Sequence, residues 1–158
     1  MEIDKFIKKE PLIVTSAEHL GEVIGLIHDE YFDLKDIKYI KDQQLVEIPY
    51  RRMFHEGPCR VIREYFGIKR IELELIRSLL IIKNVKDYYY EDRARIGTYS
   101  FNTIEYKNNK LRIICCEDLE LDMEVSGIEI ESHDLEVKGK TRLTKGWFWE
   151  SYTGEVYK

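Results

Sequence analysis

Acid–base, nucleophilic and metal chemistry each need particular side chains at particular spacings, and this 158-residue sequence offers few of them. Two of its four histidines stand beside an aspartate. His28-Asp29 closes an apolar-periodic segment, a place where the helix dipole favours an imidazolium. Ser132-His133-Asp134 sets three triad-type residues in a row. Neighbours in a strand point to opposite faces, however, and a triad is recognised by geometry rather than by order. With no Gly-x-Ser-x-Gly elbow in the chain, the residues predict a helix cap for His28 and a surface loop for His133. No His-x-His, His-Glu-x-x-His, Cys-x-x-Cys or Asp-x-Asp-x-Asp-Gly spacing occurs, and no glycine-rich phosphate loop. Cys115-Cys116 would send one thiol inward and one outward, the inner acting as a small hydrophobe. The expectation is therefore no metal, no cofactor and no catalytic residue, and a binding protein before an enzyme.

The elements that would position these groups lean toward strand. Isoleucine (20), Val (8), Thr (6), Tyr (11), Phe (6) and Trp (2) make up a third of the chain, and these types suit a pleated, half-buried surface. Alanine, the best helix former, occurs only at Ala17 and Ala94. One helix is still signalled. Thr15-Ser16-Ala17-Glu18 has the capping-box pattern, and Leu20, Val23, Ile24 and Ile27 follow at helical spacing. Gly21 and Gly25 weaken that helix by about 1 kcal/mol each relative to Ala, so their presence suggests close packing on a sheet. The helix should end near His28-Asp29.

From about Asp36 the chain alternates as an antiparallel meander. Ile37–Ile40 pairs with Leu45–Ile48 so that Lys38 meets Glu47 and Ile37 meets Ile48, and Pro49 should confine the second strand to an edge. His55-Glu56-Gly57-Pro58 is a turn, and residues 59–67 fit either a helical turn or a strand. Ile71–Leu75 and the apolar run Leu79–Ile82 are strands, the latter covered on both faces. Val85–Asp92 continues the β-prone region, and Arg93–Gly97 is a connection. Around Asn108-Asn109, Tyr106 faces Leu111, Glu105 faces Arg112 and Ile104 faces Ile113. Around Cys116-Glu117-Asp118, Ile113 faces Leu121, Leu111 faces Met123, Arg112 faces Asp122 and Lys110 faces Glu124. A one-residue slip would mismatch every pair. A turn at Ser126-Gly127 would then set Val125 opposite Ile128 and Met123 opposite Ile130. Lys138-Gly139-Lys140 looks like a loop, and Trp147-Phe148-Trp149 like a last strand. The expected fold is α+β, a single domain over 1–158: a mostly antiparallel meander of six to eight strands, one face covered by the N-terminal helix, or a half-barrel with the helix plugging one end.

The charge distribution fits a solvated face kept soluble by charge or, on a sharper reading, a surface for a partner. From Glu117 to Glu136 there are nine Asp/Glu and no Lys or Arg. The expected register opposes Asp122 to Glu131 and Glu124 to Glu129, and like charges directly opposed destabilise a sheet. Glu129 and Glu131 would be uncompensated unless Lys138, Lys140 or Arg142 returned beside them. Such a face would steer a basic protein. The stretch Arg51–Arg70 holds six Lys/Arg against two Glu with Tyr65 and Phe66 nearby, a composition able to meet phosphates and stack on bases. The net charge of −5 argues against nucleic acid as the main partner.

The runs Leu26-Ile27-His28-Asp29, Ile113-Ile114-Cys115-Cys116 and Glu124-Val125-Ser126 resemble those of small uncharacterised bacterial antiparallel-meander domains. The resemblance spans residues 20–130 and implies a fold without an activity. Arg51-Arg52 resembles the arginine half of the cyclic-dinucleotide motif of PilZ domains, whose following Asp-x-Ser-x-x-Gly pattern is missing. No apolar run approaches the roughly 20 residues of a membrane helix, Met1–Phe6 lacks signal-peptide character, and three cysteines without metal spacing suit a reducing compartment. A cytoplasmic protein with no membrane partner is expected. Two functions remain in view. One is a non-enzymatic, immunity- or antitoxin-like binding domain using Asp122, Glu124, Glu129 and Glu131. The other is a small-molecule-binding or enzymatic domain with a pocket between helix and sheet lined by Tyr88, Tyr90, Trp147 and Trp149.

Overall fold

A computed structural model describes residues 10–53, 60–145 and 150–157. The alternation of apolar and polar residues yields twelve strands in chain order: β1 (Leu12–Val14), β2 (Tyr31–Asp33), β3 (Lys38–Ile40), β4 (Leu45–Met53), β5 (Arg60–Tyr65), β6 (Ile68–Ile82), β7 (Val85–Asp92), β8 (Thr98–Lys107), β9 (Lys110–Cys115), β10 (Leu119–Val125), β11 (Ile130–Lys145) and β12 (Glu150–Tyr157). One α-helix, α1 (Leu20–Ile27), follows β1 after a 3-10 turn at Ala17–His19. The strands form one antiparallel sheet in the order β1-β11-β6-β4-β2-β8-β9-β10-β7, with β3 added to β4, β5 to β6 and β12 to β11. The α+β class and the covering helix are as expected.

Helix α1 packs against both β1 and β8. These strands are five positions apart in the sheet, roughly 24 Å if it were flat, whereas an eight-residue helix is about 12 Å long. The sheet must curl to bring both to one helix. The curl carries β7 back toward the start of β4, where Val85 N–H donates to the Gln44 carbonyl at 2.7 Å and the Tyr39 hydroxyl to that of Lys86 at 2.9 Å. It stays open, because the ladder of β7 runs to β10 alone. Inside lies one core that joins Leu20, Val23 and Ile27 of the helix to Ile48 and Tyr50, Leu80 and Ile82, Phe101, Ile113 and Leu121. Stacked rings of Phe32 and Phe101, 4.5 Å between centroids, sit within it.

The hairpins at 104–125 have the expected register throughout. Asn108 (φ 53) and Asn109 (φ 61) take the left-handed conformation that a two-residue turn requires and Asn tolerates. The first hairpin also forms as expected, Lys38 opposite Glu47. Val85–Asp92 is a strand, and 93–97 connects it onward.

Other expectations are corrected. Pro49 does not end β4 or place it at an edge: β4 runs nine residues, with β6 on one side and β3 and then β2 on the other. Proline is tolerated because it falls between the β3 pairing, which ends at Glu47, and the β2 pairing, which begins at Tyr50. No strand on that side asks it for a donor. Residues 60–65 are a strand, and Ile71–Leu75 and Leu79–Ile82 are one strand of 15 residues. Leu80 and Ile82 are buried while Leu79 and Ile81 are only partly so, so the run has one core face and not two. Lys138-Gly139-Lys140 is inside β11, which takes up the extra residue as a bulge between Val137 and Gly139. Gly21 and Gly25 face solvent, and a Cβ at either would meet nothing within 4 Å, so close packing does not account for them. The cap positions are Ser16 for the 3-10 turn and His19 for α1, not Thr15, and neither makes a side-chain capping bond. The turn expected at 55–58 and the strand at 147–149 lie outside the described residues.

The largest correction concerns β11. It does not fold back on β10 through Ser126-Gly127; it pairs with β6 and β1, while β7 takes the place beside β10. The apolar positions Ile128 and Ile130 matched Val125 and Met123, but Ile130 matches Ile82 equally well, and alternation alone does not choose between two apolar partners.

Candidate functional site

Period-two alternation along β4 turns Val46, Ile48, Tyr50 and Arg52 inward, so the inner face passes from hydrocarbon to guanidinium toward the end of the strand. Ser132 and Asp134 follow Ile130 inward on β11, and Ser78 does so on β6. Arg52, 6% exposed, donates from Nη2 to Asp134 Oδ2 at 2.6 Å and from Nε to Oδ1 at 3.3 Å. Ser78 Oγ donates to the same Oδ1 at 2.9 Å, and the Tyr50 and Ser132 hydroxyls bond at 2.6 Å. Burial pushes the Tyr50 hydroxyl up to about 12. Glu30, just past the helix, is 5% exposed, and burial raises its carboxyl to about 8 despite the hydrogen bond from Met53 N–H (2.7 Å) and the nearby Arg52 charge. At neutral pH it is therefore mostly a neutral acid. This is a largely desolvated polar network at the end of the core. Two open depressions among the described residues, one of about 410 Å³ lined by the β8–β9 hairpin with Asp122 and one of about 350 Å³ around Pro49, Arg51 and Arg77, reach neither Glu30 nor Asp134.

A second cluster lies where the helix end meets the β9–β10 loop. The β8 bulge between Phe101 and Thr103 frees the Asn102 carbonyl, and His28 Nδ1 lies 2.9 Å from it. A carbonyl only accepts, so the imidazole proton is on Nδ1. His28 Nε2 is 3.4 Å from Asp29 Oδ2, and Cys116 Sγ is 3.8 Å from Asp29 Oδ1. Glu117 accepts from the Ser100 amide at 2.7 Å and its hydroxyl at 2.6 Å, holding the loop on β8. The order thiol–carboxylate–imidazole is wrong for nucleophilic catalysis, which needs the base beside the nucleophile. Burial, Glu117 and Asp29 push the Cys116 thiol up, away from the thiolate. His28 stands at the C-terminal end of α1, and its side chain bonds the Asn102 carbonyl of β8 rather than the helix. Cys115 points into the core and Cys116 outward.

His133 is in β11 rather than in a loop, facing outward while Ser132 and Asp134 face inward, and so the row builds no relay. Arg51 donates to Asp33 Oδ2 at 2.9 Å, and Asp33 also accepts from Thr98 at 2.6 Å. Burial would raise the Asp33 carboxyl, but these two bonds and the Arg51 charge outweigh it and hold the group below its ordinary range. Both members of the Arg51-Arg52 pair are thus engaged within the fold. Among the described residues no group of three potential ligands is placed to hold a metal ion.

The four acidic residues do not share one strand pair. Glu131 lies on β11 between Ile13 and Ile81, and Glu129 just precedes it. Lys83, in the β6–β7 connection, lies 2.8 Å from Glu131 and 3.9 Å from Glu129. Among the described residues the compensating cation is Lys83. Asp122 and Glu124 remain on the outer face of β10, across from Tyr89 and Asp87 of β7, with Glu120 across from Glu91. Arg112 reaches Asp122 at 2.8 Å and Glu120 at 3.8 Å, and Arg93 reaches Glu91 and Asp118 at 2.9 Å each. Of the aromatic set, Tyr88 is partly buried against Tyr39 and Tyr90 (centroids 5.9 and 6.2 Å), and Tyr90 is half exposed. The Tyr88 hydroxyl is the one buried side-chain oxygen or nitrogen without a partner among the described residues. Trp147 and Trp149 lie outside them.

Sequence reasoning missed Glu30 and the Arg52–Asp134 pair. The signal was there, since Arg52 is in phase with Val46, Ile48 and Tyr50, and Asp134 with Ile130. Comparison with protein-family models, curated proteins and solved structures finds no match.

Proposed function

We propose that this chain is a non-enzymatic protein-binding domain, of the immunity or antitoxin kind, that docks a basic partner on the outer face of β7 and β10. The supporting observation is the direct opposition of Glu120 to Glu91 and of Glu124 to Asp87 across an exposed strand pair. Each such like-charge pair costs a few tenths to about 1 kcal/mol. Tyr89, 53% exposed, stands between them and supplies an aromatic anchor of the type enriched at interfaces. Arg112 and Arg93 neutralise part of the field, and Lys110 lies across from Glu124 on the other side. Asp87 has no cation opposite it in either register. Strand β7 also ends the sheet, leaving one edge to meet a partner.

A pull-down at low and high salt with native and Asp87→Lys/Glu91→Lys baits tests this. The double variant sets an opposite charge across from Glu124 and Glu120, so its thermal midpoint should hold or rise. A basic protein retained by the native bait, released by salt and lost by the variant is the expected result. Equal retention by both baits sinks the assignment of this face. A second reading, a small-molecule or enzymatic domain, draws on the unpartnered Tyr88 hydroxyl; a specific ligand that raises the thermal midpoint of the native chain but not of Tyr88→Phe would favour it.

A further inference from the structure

In the first part of β6, Ile71 and Leu73 pack with Met53 in a small cluster separate from the main core, while Leu75 and Ile76 beyond them are fully buried. Strands β5 and β6 carry the ladder on past Leu75 and Ile71 to the turn at Phe66-Gly67, where the residues become exposed. The β5–β6 hairpin closes with Tyr65 opposite Ile68 around Phe66-Gly67. Phe66 has φ 49 and Gly67 φ 78, both left-handed. The equivalent turn at Asn108-Asn109 uses the residue type that tolerates this conformation. Phenylalanine does not, and a bulky residue there is a conformational outlier. Every other non-glycine residue with positive φ among those described is Asn, Asp, Gln or Arg. Burial does not compensate, because Phe66 is 81% exposed, beside Tyr65 at 65% and Ile68 at 40%.

Charge surrounds this apolar tip. Exposed Lys69 and Arg70 follow it, and the register sets Arg63 across from Arg70 and Lys145 across from Lys69. Among the described side chains the exposed cations Lys69 and Arg70 stand next to the tip against Glu64, opposite Lys69. A locally basic end on a chain of net charge −5 fits an anionic surface. Three features favour a lipid bilayer over nucleic acid. The tip is a convex turn and not a groove, one of its three apolar residues is aliphatic, and the rings of Tyr65 and Phe66 meet edge to face at 67°, which offers bases no common platform. Aromatic and aliphatic groups entering the headgroup boundary, with Lys and Arg held at an anionic surface, is the pattern of interfacial docking.

We propose that the β5–β6 turn is a docking tip for anionic membrane surfaces, with Phe66, Tyr65 and Ile68 inserting and Lys69 and Arg70 holding the headgroups. The test is co-sedimentation of the full chain with phosphatidylcholine vesicles and with vesicles containing 30% phosphatidylserine, beside a fluorescence-anisotropy titration of a single-stranded oligonucleotide. The native chain should sediment only with the anionic vesicles and be released by salt. Neutralising Lys69→Gln or Arg70→Gln should lower partitioning about five-fold each. Phe66→Asn should lower it about ten-fold or more while raising the thermal midpoint, because Asn suits the left-handed turn; a merely structural Phe66 would lose stability instead. Equal sedimentation with neutral vesicles, none with either, or oligonucleotide binding without vesicle binding each overturns the proposal.

Discussion

Glu30 and Arg52 are charged-type residues taken inside with different outcomes. Arg52 donates two bonds to Asp134, whereas Glu30 accepts one backbone N–H, from Met53, and burial raises its carboxyl. Its folded-state pKa of about 8 lies above the ordinary 4.5, so the folded state binds the proton more tightly than the unfolded chain. The stability this confers is complete below about pH 4.5 and is lost as pH rises through about 8. Glu30→Gln retains an acceptor for Met53 N–H and has no proton to lose. Denaturant titrations between pH 5 and 9 should show its stability flatter with pH than that of the native chain, and higher by a few kcal/mol at pH 9. The buried pair behaves differently. Asp134→Ala removes the acceptor of both Arg52 and Ser78 and should destabilise by about 3 kcal/mol, and Arg52→Met/Asp134→Leu should recover most of it, as measured by urea unfolding.

At the scale of elements, what was legible depended on how many independent patterns agreed. The hairpins at 104–125 could be registered because apolar pairs on one face and Arg112–Asp122, Lys110–Glu124 and Glu105–Arg112 on the other are satisfied together by one alignment. Strand β11 had no such second pattern. Its inward residues Ile130, Ser132 and Asp134 suit many partners that begin with an apolar position, and β6 supplies Ile82, Leu80 and Ser78 from 48, 52 and 56 residues upstream. The acidic site inherited that ambiguity: Asp122 and Glu124 kept their face, while Glu129 and Glu131 were assigned to it through a pairing that does not form. Pro49 misled because its cost depends on which neighbour faces its missing N–H, a property of the sheet rather than of the residue. Helix α1 carries a plainer liability. Gly21 and Gly25 are exposed mid-helix with open space at both Cβ positions, so Gly21→Ala and Gly25→Ala should each stabilise by about 1 kcal/mol, additive in thermal unfolding. Nothing in the structure explains why glycine stands at either position.

Across the whole molecule, charge is sorted along the sheet. The β7–β10 end is acidic and the β5–β6 turn basic, with the helix-covered core between them. The charge-reversal baits act at the first end and the vesicle assays at the second, on surfaces that share no residue. Lys69→Gln should therefore leave capture of a basic partner unchanged, and Asp87→Lys/Glu91→Lys should leave vesicle binding unchanged. The −5 total hides this division, because it sums two fields that a partner would meet separately. No helix among the described residues is long and apolar enough to cross a membrane; docking by a turn requires none.

The partnership of β6 with β11 also has a consequence in time. While the chain is being synthesised, β6 can add to β4 and β5 as soon as it emerges, but its other flank waits for a strand that begins at Ile130. At about 5–20 residues per second, that flank spends several seconds as a long row of unmatched backbone donors and acceptors alternating with isoleucine and leucine. Such a row is what a neighbouring nascent copy would pair with. The interval between the birth of β6 and the arrival of β11 is when this protein is most exposed to its own kind.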